Sequence, residues 1–266
     1  MLNIIKATIK KNRYIIKRAY PYSFIVGRVI NSLYTPLFAY FIFKFTFNES
    51  VNEEYILYSN NMDYMTYMVL GAAVYIFAIA TLMNVGRSLM NELREGTLEL
   101  LIYSPASRIG YFLGTLIEQL LRTIVEITII LIIGWALGAD YSSVSIIDVI
   151  LIFIIAVASF FSMSILLAAV MLKMRDTYIT QNTLFNIMLF LCGVSYPIKF
   201  LPNILQKIAH LLPLTQVLQL FRGSFMHKEI DIGLVIELIV LSVVYFTIGY
   251  RLIVKEERKF IENTFA

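Results

Sequence analysis

The sequence predicts an all-α membrane protein with six transmembrane helices. Of its 266 residues, 59% are hydrophobic and only 15% charged, and the mean hydropathy is +0.77, outside the range of soluble domains. Six apolar stretches, at 23–47, 64–90, 109–137, 146–172, 178–196 and 232–254, come close to or exceed the roughly 20 residues that a spanning helix needs. The connections between them alternate in basic content, as membrane topology demands.

Residues 1–22 form an N-terminal amphipathic interface helix in this reading. Leu2, Ile5, Ile9, Ile16 and Tyr20 fall on one helical face, and Lys6, Lys10, Arg13 and Lys17 on another. That basic face suits anionic lipid headgroups as well as a protein partner. Nothing in it resembles a cleavable leader. A single domain of six spans then runs over 23–254, and 255–266 is a cytoplasmic tail.

The first connection, around Glu53, Glu54 and Asp63, lacks Lys and Arg, as does GADYSS at 138–143; the N-terminal tail and the segment holding Lys173, Arg175 and Asp176 are basic. Both termini are therefore expected in the cytoplasm, with the chain a multi-pass protein of the cell membrane. Within the spans, Arg28 and Asn31 lie one turn apart in the first, and Glu118, Arg122 and Glu126 stack at four-residue intervals in the third. Ionisable residues in a span are candidates for a cavity or an internal polar stripe.

Between the second and third spans, NELREGTLELLIYSP keeps Glu92, Arg94, Glu95 and Glu99 around Gly96. The spacing predicts a cytoplasmic helix over 91–103, with Leu93, Thr97, Leu100 and Leu101 on one side and Glu92, Glu95 and Glu99 on the other. Three carboxylates on one face are expected to dock a cationic groove, with Gly96 allowing close approach. Ser104 and Pro105 read as the N-cap and first turn of the next helix. Between the fifth and sixth spans, Pro197, Pro202 and Pro213 interrupt an apolar face of Leu201, Ile204, Leu205, Ile208 and Leu212. This predicts a short helix re-entering the membrane from outside.

The motifs E-x-x-E-G-T-L-E-x-L at 92–101 with S-P at 104–105, then G-V-S-Y-P at 193–197, L-P at 201–202, L-P-L-T at 212–215 and F-R-G at 221–223, resemble two signatures of the type-2 ABC exporter permeases. The resemblance implies a transmembrane subunit that is not itself an enzyme, with ATP and Mg bound by a partner ATP-binding cassette ATPase. It implies a second permease copy, identical or closely related. It assigns coupling to the ATPase to Glu92, Arg94, Glu95, Gly96, Thr97, Glu99 and Pro105 with Lys173, Arg175 and Asp176. The re-entrant exit segment then includes Gly193, Pro197, Pro202, Pro213 and Arg222. Independently, the chain has no G-x-x-x-x-G-K-[ST] phosphate loop.

RAYPYSFIVGR before the first span is only poorly similar to the basic sequence of the polysaccharide-exporting branch. The resemblance is nearer the drug, peptide and lipid exporters, with export of lipid-linked polysaccharide or teichoic acid as the alternative. Other classes find less support. An intramembrane enzyme would need convergent catalytic groups, and His210 and His227 have no evident nucleophile partner; a secondary transporter would show repeated halves. A single Cys192 and two histidines give no metal or redox framework. The net charge of +4 sits at loops and ends, which argues for membrane orientation and against nucleic acid.

Overall fold

The computed structural model describes residues 1–19, 23–48, 50–142, 144–226 and 230–265. Side chains at 19, 23–25, 28, 31, 178–181, 260 and 263–265 lie outside that description, so Arg28 and Asn31 are placed only as backbone positions; His227, Tyr20 and Glu49 fall outside it entirely. Among the described residues, every regular element is a helix.

Helix α1 covers Leu2–Ala19 and α2 covers Ser23–Phe41, continued by a π-helical turn at Ile42–Thr46. The short α3, Glu53–Tyr58, is capped by Asn52, whose side chain accepts from the Glu54 N–H. α4 spans Tyr64–Gly86 behind an Asp63 cap. α5 (Ser88–Arg94) and α6 (Leu98–Tyr103) precede α7 (Arg108–Ala136), α8 (Ile146–Met174) and α9 (Tyr178–Leu191). A 3-10 turn at Ile198–Phe200 leads to α10 (Asn203–Ala209), α11 (Pro213–Ser224) and the long α12 (Ile232–Phe265).

Among the described residues, three stretches are long and apolar enough to cross a membrane: Tyr64–Gly86, Ile146–Met174 and Ile232–Lys259. α7 has the length but carries Glu118, Arg122 and Glu126. Two boundaries differ from the sequence reading. The fifth apolar stretch is helical only from Tyr178 to Leu191, because Gly193 adopts φ +75° and turns the chain. The tail at 255–266 does not separate from the sixth stretch, since α12 continues through it to Phe265.

α4 is the axis of the bundle, packed against α7, α8, α2 and α11, while α12 lies along α8. Phe77 of α4 meets Phe160 edge-on at 5.2 Å and stacks on Phe153 at 5.0 Å. Small residues bring helix backbones together, as expected where lipid supplies no hydrophobic drive between helices. A Cβ on Gly249 of α12 would lie 2.5 Å from the Leu166 nitrogen of α8.

α1 packs along the first half of α7. Its inward face is Ile4, Ile5 and Thr8, whereas Leu2, expected on that face, is exposed. Closest approach is at Gly114, where a Cβ would sit 2.7 Å from the Thr8 Cβ and 3.0 Å from the Ile5 carbonyl oxygen. Gly114→Leu is therefore expected to push α1 off α7 at an overpacking cost of about 1–3 kcal/mol. Hydrogen exchange over residues 2–19 should accelerate while α8 and α12 keep wild-type protection; unchanged exchange would refute the contact.

Candidate functional site

The charged knot is two short helices, not the single helix its periodicity predicts. α5 stops at Arg94, and the Gly96 N–H bonds the Leu93 carbonyl at 3.2 Å while the Thr97 N–H bonds the Glu92 carbonyl at 2.9 Å. This pair is a Schellman termination, which places Gly96 in the left-handed region at φ +70°. A Cβ there would meet nothing within 4 Å. The glycine thus answers a backbone requirement, not a close approach within this chain.

The break resets the helical phase. Leu98 and Ile102 become the buried side of α6, and Leu100, expected to pack, is 72% exposed. Ser104 and Pro105 do not start the next helix either. Ser104 ends α6 in an extended conformation, and Ser107 caps α7 by accepting from the Gly110 N–H at 3.3 Å.

The three carboxylates part company. Glu92, expected on the docking face, is buried: it pairs with Lys11 of α1 and accepts hydrogen bonds from the Thr97 hydroxyl and, at 2.9 Å, from the Tyr111 hydroxyl of α7. Burial alone would raise its pKa, but the hydrogen bonds from Lys11, Thr97 and Tyr111 outweigh it and hold the carboxyl below its ordinary value. Glu95 and Glu99 remain exposed. One Glu95 oxygen lies 3.9 Å from the Lys11 ammonium.

Two arginines complete the knot. Arg94 donates to the Thr177 hydroxyl at 3.0 Å, joining α5 to the connection between α8 and α9. Arg108 donates to the Leu101 and Ile102 carbonyls, both at 2.7 Å, and to the Ala106 carbonyl at 3.0 Å. It thereby closes the open end of α6. Its Nε meets Glu257 of α12 at 2.7 Å. In the second connection, Arg175 ends α8 at φ 54°, Lys173 and Arg175 are exposed, and Asp176 is half-buried. Pro105, between α6 and α7, is exposed as well.

On the opposite side, the proline-rich segment is two helices rather than one. Pro197 precedes the 3-10 turn, Pro202 precedes α10, and Pro213 opens α11 at its first turn. α11 is largely buried against α4, α8 and α12. Arg222 near its end donates to the Gly193 carbonyl at 2.7 Å, the Val194 carbonyl at 2.8 Å and the Tyr67 carbonyl at 3.1 Å. Its guanidinium lies 3.4 Å from the centroid of the Tyr67 ring. Gly71 leaves room for this clamp, since a Cβ there would lie 2.1 Å from the Val194 oxygen and 2.6 Å from an Arg222 nitrogen. A pocket of about 330 Å³ opens beside it, lined by Tyr58, Lys199, Gln219 and Asp231 among others.

The stripe on α7 is internal. Glu118 and Arg122 pair with each other, Glu126 is buried, and Gln119, fully buried, donates to the Thr123 hydroxyl at 2.8 Å. The sequence reading missed Lys11, Tyr111, Thr177 and Glu257 as partners of the assigned residues. Only Lys11 left a signal: it follows Ile4 and Thr8 on the inward face of α1, where a cation must find a carboxylate.

Residues 5–226 match the ABC-2 type transporter family. Nodulation protein J of Sinorhizobium fredii (strain NBRC 101917 / NGR234) is 43% identical over 54 residues, 20% of this chain and 21% of that protein. The chain thus spans about a fifth of that relative's length in the match. The family match runs from α1 into the chain just past α11, across both the knot and the Arg222 clamp, and on that extent the chain belongs to the ABC-2 type transporter family of membrane permeases.

Proposed function

We propose that the chain is the transmembrane subunit of an ATP-driven exporter whose ATP and Mg are bound by a separate ATP-binding cassette subunit. It crosses the cell membrane six times, on α2, α4, α7, α8, α9 and α12, with both termini in the cytoplasm. α9 alone reaches only roughly 21 Å, and the largely buried turn at 192–197 carries the chain onward. The working assembly pairs two permease copies with two ATPase domains.

The observation that carries the reading is the wiring of the knot. Glu92, Arg94 and Arg108 fasten the α5–α6 segment to α1, to the α8–α9 connection and to α12, while Glu95 and Glu99 stay exposed. A displacement applied at two exposed carboxylates is passed to elements on every side of the segment. The substrate is amphipathic, of drug, peptide or lipid type. Supporting this, α2 and the π-helical turn after it leave Tyr34, Phe38, Phe41 and Phe45 exposed, stacked in pairs at 5.7 and 5.9 Å, and a second copy facing that ladder would enclose an aromatic path.

The test is co-purification with a phosphate-loop ATPase, before and after Glu95→Lys. Glu95 is exposed, so membrane abundance should stay near wild type. Loss of a charge-assisted bond costs about 1.5–3 kcal/mol, so ATPase co-elution and transport should fall tenfold or more. Wild-type values for both would remove Glu95 from the interface, and absence of any ATPase would remove the exporter reading.

A further inference from the structure

We propose that the cytoplasmic end of α12 is a binding stripe for anionic lipid headgroups. Along α12, Ile236, Val240, Val243 and Thr247 form an exposed row at three- and four-residue steps, the row of a lipid-facing helix surface. The same row continues without a break in phase as Arg251, Lys255 and Arg258, all exposed. The face that meets acyl chains therefore becomes cationic where the chains end.

Charge on these turns is sorted by side. Glu256 and Glu257 are turned inward, with side chains 14% and 15% exposed, and are paired with Lys259 and Arg108. The outward row keeps three cations against one acid, Glu262. From Arg251 to Arg258 the helix rises about 10 Å. That is comparable with the headgroup layer, roughly 6 Å per leaflet, plus the reach of its potential, about 8 Å at physiological salt. Phosphate-bearing headgroups are the occupant this geometry fits, and Tyr250, exposed at the start of the row, suits the interface.

The stripe is also placed to matter for the knot. Glu257 holds Arg108 from the inner side of the same turns, so fixing the outer side in the headgroups steadies that tie.

The test uses the purified permease in bilayer discs of phosphatidylcholine, with and without phosphatidylglycerol, comparing wild type with the triple variant R251Q/K255Q/R258Q. Co-purified lipid is quantified by mass spectrometry, and hydrogen exchange is followed over 251–262. Wild type should enrich phosphatidylglycerol, and exchange should slow in its presence. Each charge removed should lower the enrichment about fivefold, from roughly 1 kcal/mol per basic residue. R258Q alone, beyond the apolar run, supplies the single step should the triple variant fold poorly. Enrichment equal to wild type in the variants overturns the proposal. So does retained enrichment with lost ATPase co-elution, which would make the row a protein contact. Because the lipid measurement needs no ATPase, it stands or falls apart from the exporter reading.

Discussion

Glu92→Ala is expected to release α1 from the charged knot and to abolish transport, a larger effect than any substitution at Glu95 or Glu99. The carboxylate gathers Lys11, Thr97 and Tyr111. Lys11, whose side chain is 39% exposed, can return to water, so its desolvation adds little. The buried Tyr111 hydroxyl loses a partner, although the Ser88 carbonyl at 3.3 Å remains as a weaker acceptor. The cost is about 2–3 kcal/mol, within the range for a charged hydrogen-bond centre removed from a part-buried site. Glu92→Gln, which keeps shape and one acceptor, should cost less. A cysteine pair bridging α1 and α5 would report the release as lost cross-linking; wild-type cross-linking and transport in Glu92→Ala would refute the assignment.

The same centre carries a pH signature. Its folded pKa is held below the ordinary carboxylate value, so its stabilising contribution is fully present above that ordinary value, about 4.3. The contribution is lost as pH falls through the depressed folded pKa. At neutral pH the tie between α1 and α5 should be insensitive to pH, and cross-linking should decline only in strongly acidic buffer. Decline near pH 6 would implicate another group.

How the sequence anticipated one carboxylate and not another follows from what periodicity assumes. Placing Glu92, Glu95 and Glu99 on one face presumes an unbroken helix from 91 to 103. Gly96 was legible as unusual, but its left-handed conformation, which divides the segment, depends on the Schellman bonds to Glu92 and Leu93. Once divided, Glu92 answers to the phase of α5 and Glu99 to that of α6. The helical class and the three long apolar helices α4, α8 and α12 were legible because hydropathy acts locally. The partners Thr177 and Glu257 were not, since Arg94 and Arg108 reach them across 83 and 149 residues of sequence. Pro197, Pro202 and Pro213 were rightly read as breaks. That the last of them opens a buried helix follows from packing against α4 and α8, which no local pattern contains.

Arg222→Leu should separate transport from coupling. The guanidinium holds three carbonyls, those of Tyr67, Gly193 and Val194, near the point where the chain turns from α9 into the proline-rich segment. Leucine fills part of the volume but donates nothing. Gly193 keeps a bond from the Tyr67 hydroxyl at 3.2 Å, so the Tyr67 and Val194 oxygens lose most. Each charge-assisted bond is worth about 1.5–3 kcal/mol, and they are not additive. A net loss of about 3 kcal/mol is expected, concentrated in the link between α4, α11 and the 192–197 turn. Arg222→Lys keeps the charge, but a point ammonium cannot span three acceptors as the planar fork does, so it should recover only part. The knot lies at the other end of α4, untouched. ATPase co-elution should therefore remain near wild type in Arg222→Leu while transport falls tenfold or more and exchange over 192–201 accelerates. Joint loss of co-elution and transport would instead mean that the clamp supports the whole bundle, and unaltered transport would show that it does not shape the work of the proline-rich segment.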